Sequence, residues 1–414
     1  MSEPQRLAAP LFYAGTALAT VGSAVGVLEA TYIATTSDPS RGALRTATMI
    51  TLLLVASVLT VPHVPGWAAR WGYRRLYVVA DSGAALVWGA LSLALFAGLP
   101  PYPALLAAVP VMGVMSAMSA VLAPLLCRAY LSGHSMAGAY ARLSVIMGLS
   151  WAAGSLLGGY LLLSVPPGVG IFARGLLVIP LVVVLATVAP RGAFPKGQQR
   201  GGRAYSTLLQ HVRTPGPLRA TVAVTCTLSV FALPFLSLIV PITSDLREVP
   251  LLPGAGLLMA GSAVGEVFAP LLVTLLQRRL RSLPAAAICG LACAGCLLAF
   301  ALASFIWTGQ RELAAWILVG LGFGAARFTA KALQIDAAVT SGAPDGEAVA
   351  TLSFVKGVCD PIGLLLWALL MTFVSVEAAL LVACVGLSIG SVAVWISCAR
   401  RGLTRGGVSG GVIP

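Results

Sequence analysis

Long apolar runs, one after another, constrain this chain more than any other feature of it. Breaking the sequence at charged or Pro/Gly-rich joints leaves twelve of them. They lie near 8–35, 43–61, 76–98, 103–126, 141–164, 169–189, 218–241, 252–276, 283–306, 313–332, 347–374 and 376–398. A helix needs about 20 largely apolar residues to cross a hydrocarbon layer roughly 30 Å thick, and each run is close to that length or longer. A membrane barrel would show alternating segments of ~10 residues instead, so the runs predict helices. Composition excludes a soluble alternative: 58% of the residues are apolar and 9% are charged, against roughly 25% charged in a soluble domain. The chain is an all-α polytopic membrane protein. A soluble enzyme, a nucleic-acid-binding domain and a disordered chain are excluded, and no nucleic-acid partner is expected.

The net charge of +13 gains its meaning from position. With the N-terminus inside, 21 Lys and Arg residues fall in or beside the inner loops and tails. Five (Arg41, Arg45, Arg174, Arg247 and Arg311) fall on the outer side. Basic residues stay in the cytoplasm, so the split places both termini there, in the cell membrane. The longest hydrophilic stretch, 190–217, is Gly/Arg-rich and reads as a flexible linker. It separates an N-terminal six-helix bundle (1–189) from a C-terminal one (218–399), with a cytoplasmic tail at 400–414.

The two halves repeat. Ala141-Arg-Leu-Ser-Val-Ile-Met-Gly148 is similar to Ala350-Thr-Leu-Ser-Phe-Val-Lys-Gly357 at an offset of 209, and Arg74-Arg75 after run 2 is echoed by Arg278-Arg279 after run 8. Parallel six-helix halves with a site near the midplane form an alternating-access architecture. The stretch Pro65-Gly66-Trp67-Ala68-Ala69-Arg70-Trp71-Gly72-Tyr73-Arg74-Arg75 resembles the gating motif between helices 2 and 3 of the major facilitator superfamily, G-x-x-x-D-R-x-G-x-R-R. Arg70, Gly72, Arg74 and Arg75 match; Pro65 stands at the first Gly (or Gly66, shifted by one), and Ala69 replaces the acid. Gly154-Ser155-Leu156-Leu157-Gly158-Gly159 resembles the G-P-x-x-G-G motif of that family's antiporters, with Ser155 in place of Pro. The resemblance covers nearly the whole chain and implies twelve helices in two pseudo-symmetric bundles and secondary transport. Arg74-Arg75-Leu76 leading to Asp81, Ala-x-Leu-Ser in run 5, and Pro344-Asp345-Gly346-Glu347 entering run 11 resemble the macrolide and siderophore efflux branch.

Charges inside the membrane cost a few kcal/mol and should face a partner or a cavity. Glu266 in run 8 sits about 14 residues from its outer end, roughly 20 Å deep at 1.5 Å per residue, with no charge in its own helical turn. It is the leading proton-coupling candidate, set against a static salt bridge or a neutral hydrogen-bonded Glu. Lys356 and Asp360 are four apart in run 11 and can pair within one helix. Pro361 removes the hydrogen bond to the carbonyl of Gly357, a hinge beside that pair; coupling and a mutually neutralised structural pair are equal readings. Arg327 and Lys331 share a face of run 10, either snorkelling to the interface or meeting an anionic substrate or an acid. Glu29, followed by Tyr32, lies in the outer part of run 1, where a gate with Arg45 competes with proton coupling.

Among function classes, a proton-coupled exporter of a drug, antibiotic or siderophore-like amphipathic molecule stands first. An importer or a lipid flipper of the same fold is the alternative, and a non-transporting receptor the remote one. No nucleotide loop, nucleophile–base set or His-Glu-x2-His motif is present, so no enzyme and no cofactor is expected. The eight cysteines lie almost wholly in apolar stretches. The spacing of Cys289, Cys293 and Cys296 has no His or acid beside it, and buried free Cys behaves as a small hydrophobe, so no metal is expected. The expected partners are a small-molecule substrate, protons and membrane lipid, with the chain acting as a monomer. Cysteine accessibility labelling should place 190–217 and both termini in the cytoplasm; an extracellular 190–217 would overturn the assignment of sides.

Overall fold

The computed structural model describes residues 3–130, 136–188, 217–246, 255–256, 259–261, 263–265, 267 and 345–399. Among these, all regular structure is helical. In chain order, α1 (Glu3–Thr36) and a short 3-10 turn (Pro39–Arg41) lead to α2 (Gly42–Thr60). A second turn (Val61–His63) leads to α3 (Val64–Trp71), α4 (Tyr73–Phe96), α5 (Pro101–Tyr130), α6 (Met136–Ser164) and α7 (Val169–Thr187). Further on lie α8 (Pro217–Phe231), α9 (Leu233–Ser237), α10 (Ile239–Leu246), α11 (Asp345–Phe373) and α12 (Val376–Ala399).

Eight stretches among the described residues are long and apolar enough to cross a membrane. They are Ala8–Thr36, Pro39–Trp71, Tyr73–Phe96, Pro101–Ala123, Val145–Ser164, Val169–Thr187, Thr351–Phe373 and Val376–Ala393. They coincide with the first six and the last two apolar runs. The runs at 283–306 and 313–332 and most of 252–276 lie outside the described residues.

Two expectations change. The motif expected as a loop between runs 2 and 3 is mostly helix: Pro62 and Pro65 occupy the first turns of their short helices, where a missing N–H costs nothing. The joint shrinks to Gly72, whose φ of 85° is reached at no steric cost by a residue without Cβ. The seventh run, expected as one helix, divides at Ala232 and Leu238, because Pro234 has no N–H to continue the ladder. The freed carbonyl of Val230 faces α11, where a Cβ on Gly363 would lie 2.6 Å from it. The break between the last two runs is real, and Ser375 Oγ accepts the Ala378 N–H at 3.2 Å, capping α12.

Helix α1 packs against α6 and α7, α4 against α5 and α7, and α2 against α5. The C-terminal helices join this group through α11, which lies on both α2 and α8. One apolar core crosses the junction: Leu28, Ala43 and Ala47 meet Phe235, Leu364 and Trp367. Small residues set how closely the helices approach. A Cβ on Gly154 of α6 would lie 2.5 Å from the Val21 carbonyl and 2.9 Å from its Cα, so backbone touches backbone there. Gly154→Val should therefore destabilise by about 1–3 kcal/mol, the cost of overpacking, read as a lower melting temperature in detergent. Gly89→Ala, with nothing within 4 Å of its Cβ position, should be neutral or stabilising by up to about 1 kcal/mol.

Candidate functional site

Glu29 is buried near the end of α1 and reaches α7. Its Oε1 accepts the Gly168 N–H and its Oε2 accepts the Ile171 N–H. The first amides of a helix have no partner inside it, and they carry the positive end of the helix dipole. A carboxylate answers both demands, and two glycines make the room. Gly168 has φ of 104°, and a Cβ on Gly170 would come within 2.6 Å of Oε2. The other end of α7 is secured as well: Arg74 Nε donates to the Leu185 carbonyl and Tyr130 Oη donates to the Val188 carbonyl at 2.8 Å.

Glu29 and Arg45 are not brought together. Arg45 Nη2 lies 3.3 Å from Asp38 Oδ2, and its Nη1 donates to Ser37 Oγ. The Ser40 hydroxyl, first among causes, holds the Asp38 carboxyl below its ordinary range, with Arg45 and Arg41 adding to it. Tyr32 is half-buried on α1.

A cavity of about 380 Å³ lies among α1, α4, α5, α6 and α7, with Leu53 of α2 at its wall. That is a volume typical of small-molecule sites. Apolar lining comes from Phe12, Met112, Met115 and Trp151, and hydroxyls from Thr16 and Ser116. Two charges border it. Asp81, buried on α4, accepts from Ser119 Oγ at 2.7 Å and from the Tyr77 hydroxyl. Arg174 of α7 lies over the Trp88 ring, with Cζ 4.2 Å from its centroid. Arg174 was expected on the outer side and Asp81 was grouped with the gating residues; both line this cavity. Arg174 lies near the start of the run at 169, and nothing in the sequence there signals which neighbours its side chain meets.

The remaining candidates are spread over three regions. Arg70 and Arg75 are exposed and Pro65 and Gly66 lie on α3. The α6 motif has two faces: Gly154 and Gly158 press on α1 at Val21, Ala24 and Val25, while Ser155 and Gly159 meet Gly256. On α11, Lys356 Nζ donates to Asp360 Oδ2; Asp360 Oδ1 is buried with no hydrogen-bond partner among the described residues. Gly357 faces the Val58 side chain of α2, and α11 runs unbroken through Pro361. Cys359, beside the pair, has its Sγ 3.4 Å from Cys226 Sγ of α8. Glu266, Arg327 and Lys331, with Cys289, Cys293 and Cys296, lie outside the described residues. No group of three metal-ligating side chains occurs among the described residues.

The profile of the Major Facilitator Superfamily matches residues 11–359. No curated protein matches the chain in sequence. Among solved structures, the human organic anion transporter MFSD10 (TETRAN) is similar with a TM-score of 0.69 at 14% identity, over 95% of this chain and 100% of that one. A mutant of the nucleoside transporter NupG is similar with a TM-score of 0.65 at 12% identity, over 94% of this chain and 98% of that one. At such identities the likeness is one of fold.

The Glu29 geometry generates a test. Glu29→Gln keeps the shape but turns an N–H₂ toward amide donors, and leaving a buried donor unpaired costs about 1–3 kcal/mol. Both Glu29→Gln and Glu29→Ala should lower the melting temperature in detergent. An unchanged value for Glu29→Gln would identify a neutral carboxyl, the state that Gln mimics.

Proposed function

The chain belongs to the Major Facilitator Superfamily, and we propose that it is a proton-coupled exporter of a small amphipathic molecule, working by alternating access as a monomer in the cell membrane. It is a multi-pass membrane transporter and not an enzyme. The observation that carries export is the α6 seam. One face of Gly154–Gly159 is pressed onto α1 and the other onto Gly256, so a single helix seals against its own half and against the chain's C-terminal part. That is the place where an antiporter-like motif would hold one side of the membrane closed. The described cavity, with apolar walls and few polar groups, supports a small organic cargo. Organic anions and nucleosides are the cargoes named for the two similar structures, which fits that size class. A drug, an antibiotic or a siderophore falls within it.

In this reading 1–189 and 218–399 are the two rocking bundles, 190–217 is their cytoplasmic linker, and both termini are cytoplasmic. We assign the proton to Glu266. Glu29 is engaged by backbone amides and Asp360 by Lys356, whereas Glu266 has no charged neighbour in its own helical turn. Pro361 and Gly357 supply the flexible point beside Lys356 and Asp360, and Arg327 and Lys331 supply positive charge on the tenth run.

Expression in an efflux-deficient host, followed by a screen of antibiotics, dyes and siderophores, should reveal resistance to one chemical class. Sensitisation would mean import. Everted vesicles should accumulate the compound so found, and a protonophore should abolish the accumulation. Glu266→Gln should bind without accumulating, while Asp360→Asn should lower the yield of folded protein by leaving Lys356 unpaired. Normal accumulation by Glu266→Gln would remove the proton from that residue.

A further inference from the structure

Three buried acids in the described helices are answered by the protein. Glu29 has amides, Asp81 has two hydroxyls, and Asp360 has Lys356. Arg174 differs. Its guanidinium offers five N–H donors, yet among the described residues it makes no hydrogen bond and no ion pair. Its contact is the face of Trp88, which attracts the cation but uses none of the in-plane donors. A guanidinium in the membrane interior without an acceptor is costly and marks a substrate or ion path.

The arginine is also held in place. Its stem crosses α1 at two glycines. A Cβ on Gly26 would collide with the Arg174 side chain from Cβ to Cδ, and one on Gly22 would lie 3.2 Å from the Arg174 Cα. Stem and ring together fix the donor plane before any ligand arrives, so little rotamer entropy remains to be lost on binding. Half-burial of Arg174 comes from the cavity it borders. Asp81, seven residues before Trp88 on α4, sits ~10 Å away along that helix at 1.5 Å per residue. The positive and negative ends of the cavity are thus separate.

We propose that this cavity binds an organic anion, a carboxylate on an otherwise apolar body, with Arg174 as its counter-ion and the Met112, Met115 and Trp151 walls receiving the apolar part. A planar guanidinium fork suits a carboxylate bidentately. The inference deepens the transport reading by naming a substrate class, and rests on it only for the movement of what binds.

The test is binding, without a gradient. Purified chain in phosphatidylcholine nanodiscs would be titrated with dansylglycine and with neutral dansylamide. Energy transfer from tryptophan to dansyl reports binding, and Trp151→Phe, which removes a donor from the cavity wall, should lower the transfer from probe bound in the cavity. The carboxylate should bind at least about tenfold more tightly, the worth of a hydrogen bond to a charged group. Arg174→Gln should bring dansylglycine down to the affinity of the amide, and Arg174→Lys should retain most of the preference. Equal affinities in the unmodified chain, or a preference that survives Arg174→Gln, would overturn the proposal. Should Arg174→Gln fail to fold, Asp81→Asn decides alongside the unmodified chain. Removing the cavity's negative charge should tighten dansylglycine several-fold and leave dansylamide unchanged, and no change in either overturns the proposal. A chain that binds the carboxylate but accumulates nothing in vesicles keeps this inference and loses the export reading.

Discussion

Inside hydrocarbon, water is not available to satisfy a helix end or an ion, and the Glu29–α7 contact settles two such debts with one another. The carboxylate takes up the amides that open α7, and those amides, with the dipole behind them, keep the carboxylate tolerable where no cation meets it among the described residues. At the other end Arg74 and Tyr130 supply donors to the last carbonyls. Helix α7 is in this way tied to α1 at one terminus and to α4 and α5 at the other. The cavity owes its shape to that arrangement, because α7 carries Arg174 across the glycines of α1 and onto the Trp88 ring of α4.

The seam on α6 shows how little side chain such a fold needs where it must be tight. Between Gly154 and Gly159, glycines face both ways, toward α1 and toward Gly256. With lipid as apolar as leucine, close backbone approach takes the place of a hydrophobic driving force. A contact made of backbones has no rotamers to rearrange, so it opens or closes as a unit. The apolar core that joins Leu28 and Ala47 to Phe235 and Trp367 lies beside it and lengthens the same junction.

Long-range features were legible in the sequence and local ones less so. The apolar runs locate the eight described spans because a bilayer imposes one length on every helix that crosses it. Spacing alone puts Lys356 one turn from Asp360. The Glu29–Arg45 pairing failed because sequence counts charges and overlooks amides: the partner of Glu29 is backbone, which no residue type announces. Arg174 was counted to the outer side from its place near the start of the run at 169. Helix α7 starts at that same residue, and what the sequence does not show is that the side chain crosses the α1 glycines to the Trp88 ring. The gating stretch read as loop because prolines punctuate it. Proline at a first helical turn is compatible with helix, and charge and composition cannot distinguish the two cases. For Glu266, Arg327 and Lys331, the sequence reading stands by itself.

Gly72 joins α3 to α4 alone, with φ of 85°. A connection one residue long has no slack. Longer loops absorb a shift between neighbouring helices by bending; here any tilt of α3 must appear at once as a rotation at the start of α4, where Arg74 grips the end of α7. With one residue between them, a shift of α3 at the membrane surface is passed directly to the helix that carries Trp88 and Asp81. The shortness of the link limits the shift it can absorb, while the missing Cβ is what lets a single residue make the turn at all.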